Sequence, residues 1–423
     1  MDHFCYHNGV LHVEDVSVEA IAAEVGTPFY VYSRATLLRH YEVMRDALSG
    51  TDSLVCFAMK ANSNKAVLSV LAAAGAGVDV VSAGEMHMAL AAGFPANRIV
   101  FSGVGKTRAE LEAAVRAGIH QINVESENEL YTLAEVARGL GKRAAIAFRV
   151  NPDVGVDTHE KIATGRKENK FGIDWERIVP LYQLASGMPG IDVKGIGVHI
   201  GSQILDLVPF RRAFERVRDL VATLRASGLK VERVDLGGGM GIPYRRNIND
   251  QVGPEPRDYG ALALEHFRGM GLQVICEPGR LIAGNAGMLV SRVVYIKKGE
   301  TRTFLVLDAG QNDLIRPTLY DAYHEIIPVH QADAGAPLLP FDVVGPVCET
   351  GDTFARQRRL PPLEEGDLVA FATAGAYGAV MSSTYNGRPL VPEVLVSGDR
   401  MAVVRRRPTL EEMTALESVP DWL

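Results

Sequence analysis

From Leu54 onward two hydrophobic patterns alternate along the chain. Short runs rich in β-branched and aromatic residues fall at 54–59 (LVCFAM), 78–81 (VDVV), 98–101 (RIVF), 121–124 (QINV), 144–150 (AAIAFRV), 195–200 (GIGVHI), 231–236 (VERVDL) and 272–277 (LQVICE). The segments between most of them, such as KAVLSVLAAA, GEMHMALAAG, KTRAELEAAVRAG and PFRRAFERVRDLVATLRASG, repeat apolar residues three and four apart, the spacing of amphipathic helices. Eight strand–helix units predict an α/β architecture, a closed (β/α)8 TIM-like barrel. Its chemistry is expected where the strands end and the loops begin.

Past Arg280 the pattern changes. MLVSRVVYIKKGETRTFLVLD reads as two strand-like runs around a Lys-Lys-Gly-Glu turn, and DLVAFAT and PEVLVSG continue in the same way. This predicts a mostly β C-terminal domain. The first thirty or so residues are strand-like before a helix and join that domain, giving a barrel over 30–281 and a β-rich domain built from 1–29 plus 282–423. Two polar stretches, 154–172 and 244–260, are too long for simple connections and are expected to act as lids or interfaces.

Composition narrows the class. With 47% hydrophobic and 22% charged residues, 42 Gly and 21 Pro, the chain has the make-up of a turn-rich globular protein. A net charge of −7 argues against a general nucleic-acid binder, which presents a basic surface to phosphates. Cys5, Cys56, Cys276 and Cys348 are far apart with no metal-type spacing, and His3, His7 and His12 are irregular, so neither a disulfide framework nor a metal site is expected. The absence of a basic segment followed by an apolar one at the start, and of any run long enough for a membrane span, gives a cytoplasmic expectation.

Several short stretches carry chemistry. CFAMKANSNK ends an apolar run on Lys60. Such a lysine either packs its stem and keeps its charge in water or sits in a partly dry pocket as a nucleophilic amine. VDLGGGMG places Gly237, Gly238 and Gly239 directly after a strand, where they make either a tight turn or an anion cradle; the spacing is not that of a dinucleotide fingerprint. CEPGR puts Glu277, Gly279 and Arg280 at the end of the next strand. A carboxylate deep in a barrel mouth needs a charged partner, such as a protonated ring nitrogen, whereas a surface Glu277–Arg280 pair contributes little. GVHIGSQ offers His199, whose flat ring suits stacking, and Ser202. Arg316 and Tyr320 share a face if that stretch is helical, and arginine suits bidentate capture of a carboxylate. GPVCETGD sets Cys348 beside Glu349 in a polar loop, and GAYGAVMSSTYN presents Tyr377 among small residues. Together these parts fit a cofactor with an aldehyde, a phosphate and a ring nitrogen that wants a carboxylate: pyridoxal 5'-phosphate.

VCFAMKAN, HEKIATGRKENKFG, GVHIGSQI, LGGGMGIPY, CEPGR, RPTLYDAYHEI, GPVCETGD and GAYGAVMSSTYNGRP, in that order over nearly the whole chain, resemble the diaminopimelate decarboxylases. These are pyridoxal-phosphate decarboxylases that join a (β/α)8 barrel to a β domain. The resemblance implies that Lys60 carries the cofactor through a Schiff base, His199 stacks on its ring and Glu277 pairs with the ring nitrogen. The phosphate is implied to sit against Gly238, Gly239, the Glu277–Arg280 turn with Gly279, Ser202 and Tyr377. For the substrate, meso-diaminopimelate, it implies Arg280, Arg316, Tyr320 and Tyr377 on the distal carboxylate side, Glu349 near the distal amino group and Cys348 as proton donor. It further implies that Cys348 and Glu349 come from the partner subunit, so that a homodimer shares each site. Departures from the family pattern are Met59 for valine, Thr350 for serine and Thr384 for asparagine, none of which removes a group named here. The competing readings are a decarboxylase for ornithine, arginine or carboxynorspermidine on the same fold, an alanine-racemase-like activity and a non-catalytic cofactor binder. Arg316 and Glu349 weigh against the first, the ordered stretches against the second, and the presence of both Lys60 and Cys348 against the third.

Overall fold

A computed structural model describes residues 2–155, 170–245 and 253–423. Eight parallel strands, Asp52–Ala58, Gly77–Val80, Ile99–Phe101, Gln121–Val124, Ala144–Asn151, Ile191–Gly197, Arg233–Asp235 and Gln273–Cys276, pair each with the next. The last pairs with the first, which closes the barrel. Several of these strands are buried at every position, so they show no alternation of buried and exposed residues.

The intervening helices form where their sequences place caps and apolar stripes. Thr107 and Glu110 make a reciprocal capping box at the start of Arg108–Ala117, and Gly118 ends it at φ 65°. Helix Val208–Ala226 buries Phe210, Ala213, Phe214, Val217, Leu220, Val221 and Leu224, a stripe at three- and four-residue spacing. Helix Pro256–Phe267 begins inside the stretch 244–260 read above as a loop. Pro256 opens that helix because its missing N–H is unneeded there. Most of the 154–172 stretch, and 246–252 of the second, lie outside the described residues.

The chain divides into two compact units. One runs from Leu37 to Pro243 and resumes through Ile282; the other holds the chain up to Thr36, Tyr244 and Arg245, and Ala283–Leu423. The second unit is a mixed sheet ordered Thr353–Leu360, Leu339–Val344, Thr303–Leu307, Gly287–Lys298, Phe29–Ser33, Glu393–Ser397 and Arg400–Arg405, with Leu368–Phe371 also on Gly287–Lys298. The division falls after Thr36 and not at residue 30 because Phe29–Ser33, buried at all five positions, is a central strand of this sheet. Its core gathers Phe29, Val31, Met288, Val290, Ala370 and Val394 with Leu11, Val13 and Ile21 from the N-terminal segment.

Candidate active site

The first barrel strand stops at Ala58, and Lys60 lies just beyond it in a single 3-10 turn, Met59–Ala61. Its Nζ stands 3.3 Å from Asp79 Oδ2; the lysine side chain is 40% exposed and the aspartate not at all. Asp79 comes from the second strand, Gly77–Val80. Among the described residues its other oxygen, Oδ1, is buried with no hydrogen-bond partner. A buried carboxylate with a lone oxygen is expensive unless a donor arrives.

Two further acids stand at the ends of neighbouring strands, Asp235 as the last residue of Arg233–Asp235 and Glu277 just past Gln273–Cys276. Asp235 accepts from the Gly237 N–H at 3.0 Å and from Asn123 Nδ2 at 3.0 Å, and Glu277 accepts from Ser102 Oγ at 3.3 Å. Burial pushes the Glu277 carboxyl well above the usual carboxylate range, and the negative Asp235 and Asp79 push it further. Asp235 is raised less, because Asn123 and the Gly237 N–H stabilise its anion. Of the two carboxyls, Glu277 is therefore the one pushed further toward its protonated form.

The glycine turn packs against this acid. A Cβ on Gly238 would lie 2.3 Å from the Glu277 carbonyl oxygen, and one on Gly239, at φ +105°, 2.5 Å from that of Gly201. The Gly238 N–H is engaged: it donates to His199 Nδ1 at 3.2 Å, so the imidazole is neutral with its proton on Nε2. His199 lies in the loop past Ile191–Gly197, not in the strand. Burial holds its pKa well below the ordinary value, with Arg149 and Lys60 adding to the effect. Arg280 Nη2 donates to Ser202 Oγ at 3.1 Å. The Glu277–Arg280 turn is pinned on both flanks, Glu277 N–H to Gly237 O at 2.7 Å and Ala58 N–H to Pro278 O at 3.2 Å. The structure thus brings Lys60, His199, Ser202, Gly238, Gly239, Glu277, Gly279 and Arg280 together at one end of the barrel.

The remaining five residues belong to the β-rich unit. Arg316 and Tyr320 open and close a five-residue helix, Arg316–Tyr320, with Arg316 buried. Thr318 Oγ1 donates to Gly351 O at 3.0 Å, tying this helix to the loop that carries Cys348 and Glu349. Cys348 is exposed, and its N–H donates to Asn386 Oδ1 at 2.8 Å. Glu349 accepts from Tyr385 Oη and from Gln311 Nε2, each at 2.7 Å, and these bonds hold its carboxyl below the ordinary value. Tyr377 sits on another loop of the unit at φ 57°, a backbone region rarely adopted by non-glycine residues.

Sequence reading missed Asp79, Asp235, Asn123, Gln311 and Tyr385. A charge or amide at a buried strand position, as at Asp79, Asn123 and Asp235, was the available indication for three of them. Gln311 and Tyr385 carried none, since their partner Glu349 is 38 and 36 residues away.

The residues fit pyridoxal phosphate. Lys60 supplies an amine, Glu277 a carboxyl, Asp79 an unsatisfied acceptor, and the glycines a turn that admits no side chain. A family model described as pyridoxal-dependent decarboxylase, pyridoxal binding domain, matches residues 34–284. The diaminopimelate decarboxylase of Zymomonas mobilis is 48% identical over 99% of each chain. The crystal structure of diaminopimelate decarboxylase from Helicobacter pylori complexed with L-lysine is 40% identical, covers 94% of this chain and 98% of its own, and has a TM-score of 0.89. The corresponding enzyme from M. jannaschii, in co-complex with L-lysine, is 35% identical over 100% and 99% of the two chains, with a TM-score of 0.94.

Proposed function

This chain belongs to the pyridoxal-dependent decarboxylases and, within them, to the diaminopimelate decarboxylases, and from that membership we infer that it converts meso-diaminopimelate to L-lysine and CO2, the last step of lysine biosynthesis. The observation that carries the reading is the barrel mouth, where one amine faces buried carboxyls beside a glycine turn. When bound, pyridoxal phosphate supplies an electron-poor ring that takes up the charge left on the α-carbon as CO2 departs.

Each side chain has a task. Lys60 would anchor the cofactor's aldehyde carbon; Asp79, beside it, stabilises the ammonium whenever the amine is released. Glu277 would pair with the protonated ring nitrogen as its counter-ion, and that opposite charge would offset the cost of keeping its carboxylate buried beside other acids. His199 presents a neutral, flat ring. Ser202, Arg280 and the turn at Gly238 and Gly239 would hold the phosphate, with Tyr377 completing it. We assign Arg316, Tyr320 and Arg280 to the distal carboxylate, and Tyr377 to substrate binding as well. A buried arginine clamp rejects substrates lacking that carboxylate, because its donors would be left unpaired. Glu349, kept ionised by Tyr385 and Gln311, suits the distal ammonium. Cys348 returns a proton from Sγ to the α-carbon. We assign Cys348 and Glu349 to the partner subunit's site in a cytoplasmic homodimer; the exposure of both residues supports their reaching a neighbour.

Incubating the protein and pyridoxal phosphate with meso-diaminopimelate, and separately with ornithine, arginine and carboxynorspermidine, tests the reaction. Lysine from the first mixture alone is expected, and product from another mixture only would overturn the substrate. Mixing inactive Lys60→Ala and Cys348→Ala proteins tests the shared site. Random exchange should restore about a quarter of wild-type turnover, since half the dimers then hold one intact site of two. No recovery after exchange would place both residues in one subunit's site.

A further inference from the structure

Behind Arg316 stands His324. Arg316 Nη1 donates to His324 Nε2 at 2.8 Å. A guanidinium has no acceptor and stays protonated in proteins, so Nε2 carries the lone pair and the ring proton sits on Nδ1. That nitrogen lies 3.0 Å from the carbonyl oxygen of Ala372 and donates to it. Tyr244 completes the arrangement: its ring lies 4.7 Å from the Arg316 guanidinium and meets the His324 ring edge-on, 5.3 Å between centroids at 88°. All three are buried, Arg316 at 6% exposure and His324 at 2%. The His324 backbone is fixed as well, its carbonyl accepting from Arg358 Nη1 at 2.8 Å.

We propose that His324, with Tyr244 as the floor, is the positioning residue that aims the Arg316 guanidinium at the distal carboxylate of the substrate and does so without neutralising it. The inference rests on the substrate reading above. A carboxylate at this place would form a charge-assisted pair with Arg316 and spend the attraction meant for the ligand. A neutral imidazole orients the fork through one nitrogen and anchors itself through the other. An aliphatic side chain would remove the acceptor that fixes Nη1. Arginine recognises a carboxylate through a planar fork, so its orientation sets affinity as much as its charge does.

The test uses the holoenzyme, and wild-type turnover of meso-diaminopimelate comes first: its absence would sink the substrate reading and not this one. His324→Leu, His324→Gln and His324→Glu are then compared, each checked for a native melting transition and for cofactor absorbance. In His324→Leu the KM for diaminopimelate is expected to rise about tenfold or more, with kcat within about twofold. The Ki of lysine, which keeps the distal carboxylate, should rise by the same factor. His324→Gln, which restores an acceptor, should return KM to within about threefold of wild type, and His324→Glu should bind substrate worst of the three. A folded His324→Leu with unchanged KM, or a loss confined to kcat, overturns the proposal. Should His324→Leu not fold, equal KM values for the Gln and Glu variants overturn it instead.

Discussion

Gly238→Ala is the sharpest test of how the barrel mouth is built. A methyl group there would lie 2.3 Å from the carbonyl oxygen of Glu277 and 3.1 Å from its carbonyl carbon. Ordinary carbon–oxygen contacts begin near 3.3 Å, so one backbone must retreat by about 1 Å. Neither does so freely. The Glu277 N–H is bonded to Gly237 O, the next carbonyl, Pro278 O, accepts from Ala58 two residues before Lys60, and the Gly238 N–H holds His199. The strain therefore passes to Glu277, the Lys60 turn and the His199 ring together. Overpacking of this kind destabilises by about 1–3 kcal/mol, whereas misplacing a catalytic group by about 1 Å costs on the order of a hundredfold in rate. The assay is titration of the apoprotein with pyridoxal phosphate by absorbance, then kcat/KM, alongside a thermal melt. A modest fall in melting temperature with a loss of about two orders of magnitude in kcat/KM is expected. Gly105→Ala is the control, because its Cβ would meet nothing within 4 Å and its φ is not positive. Turnover by Gly238→Ala within threefold of wild type would refute the argument, as would equal damage in the control.

Three further outcomes follow from the same contacts. Asp313 is buried and its carboxyl is raised to about 6 from 3.8, burial being the main cause. The folded state then binds more protons than the unfolded one between those values, so this group's contribution falls as pH rises from about 4 through 6, by roughly 3 kcal/mol. In Asp313→Asn the difference from wild type in urea-unfolding free energy should change across that window, and a constant difference would contradict it. Tyr385→Phe removes one of the two bonds that keep Glu349 ionised, and should raise the KM for diaminopimelate about two- to fivefold with kcat retained; an unchanged KM would remove Glu349 from substrate binding. Glu277→Gln cannot ionise, so the apoprotein should gain stability over wild type as pH rises above the ordinary carboxylate range, while the holoenzyme loses turnover. Apoprotein melts that run parallel at every pH would show that Glu277 is not held protonated.

The barrel was legible because each of its strands is a local apolar run and each helix a local stripe, with neighbours in the sequence that are neighbours in the ring. Phe29–Ser33 is as apolar as any barrel strand, yet its partners are Gly287–Lys298 and Glu393–Ser397, more than 250 residues away, and nothing local distinguishes the two destinations. The site divides along the same line. Lys60, the glycine turn, Glu277 and Arg280 follow strand ends and break the apolar pattern where they stand, so the sequence marks them as candidates, and the resemblance chooses among their readings. Asp79 and Asp235 break it too, but an acid inside a strand reads as an imperfection until the fold shows that both lie at the end of the barrel where Lys60 and Glu277 stand. The electrostatic character of the mouth could not be read from the sequence for that reason. Lysine at 60 and glutamate at 277 read alone suggest a neutral pair; with Asp79 and Asp235 added, the acids outnumber the amine, and burial places the surplus proton on Glu277. If Glu277 pairs with the cofactor's ring nitrogen as proposed, the acids that sequence reading passed over are the ones that suit it to that task, because they raise its hold on a proton.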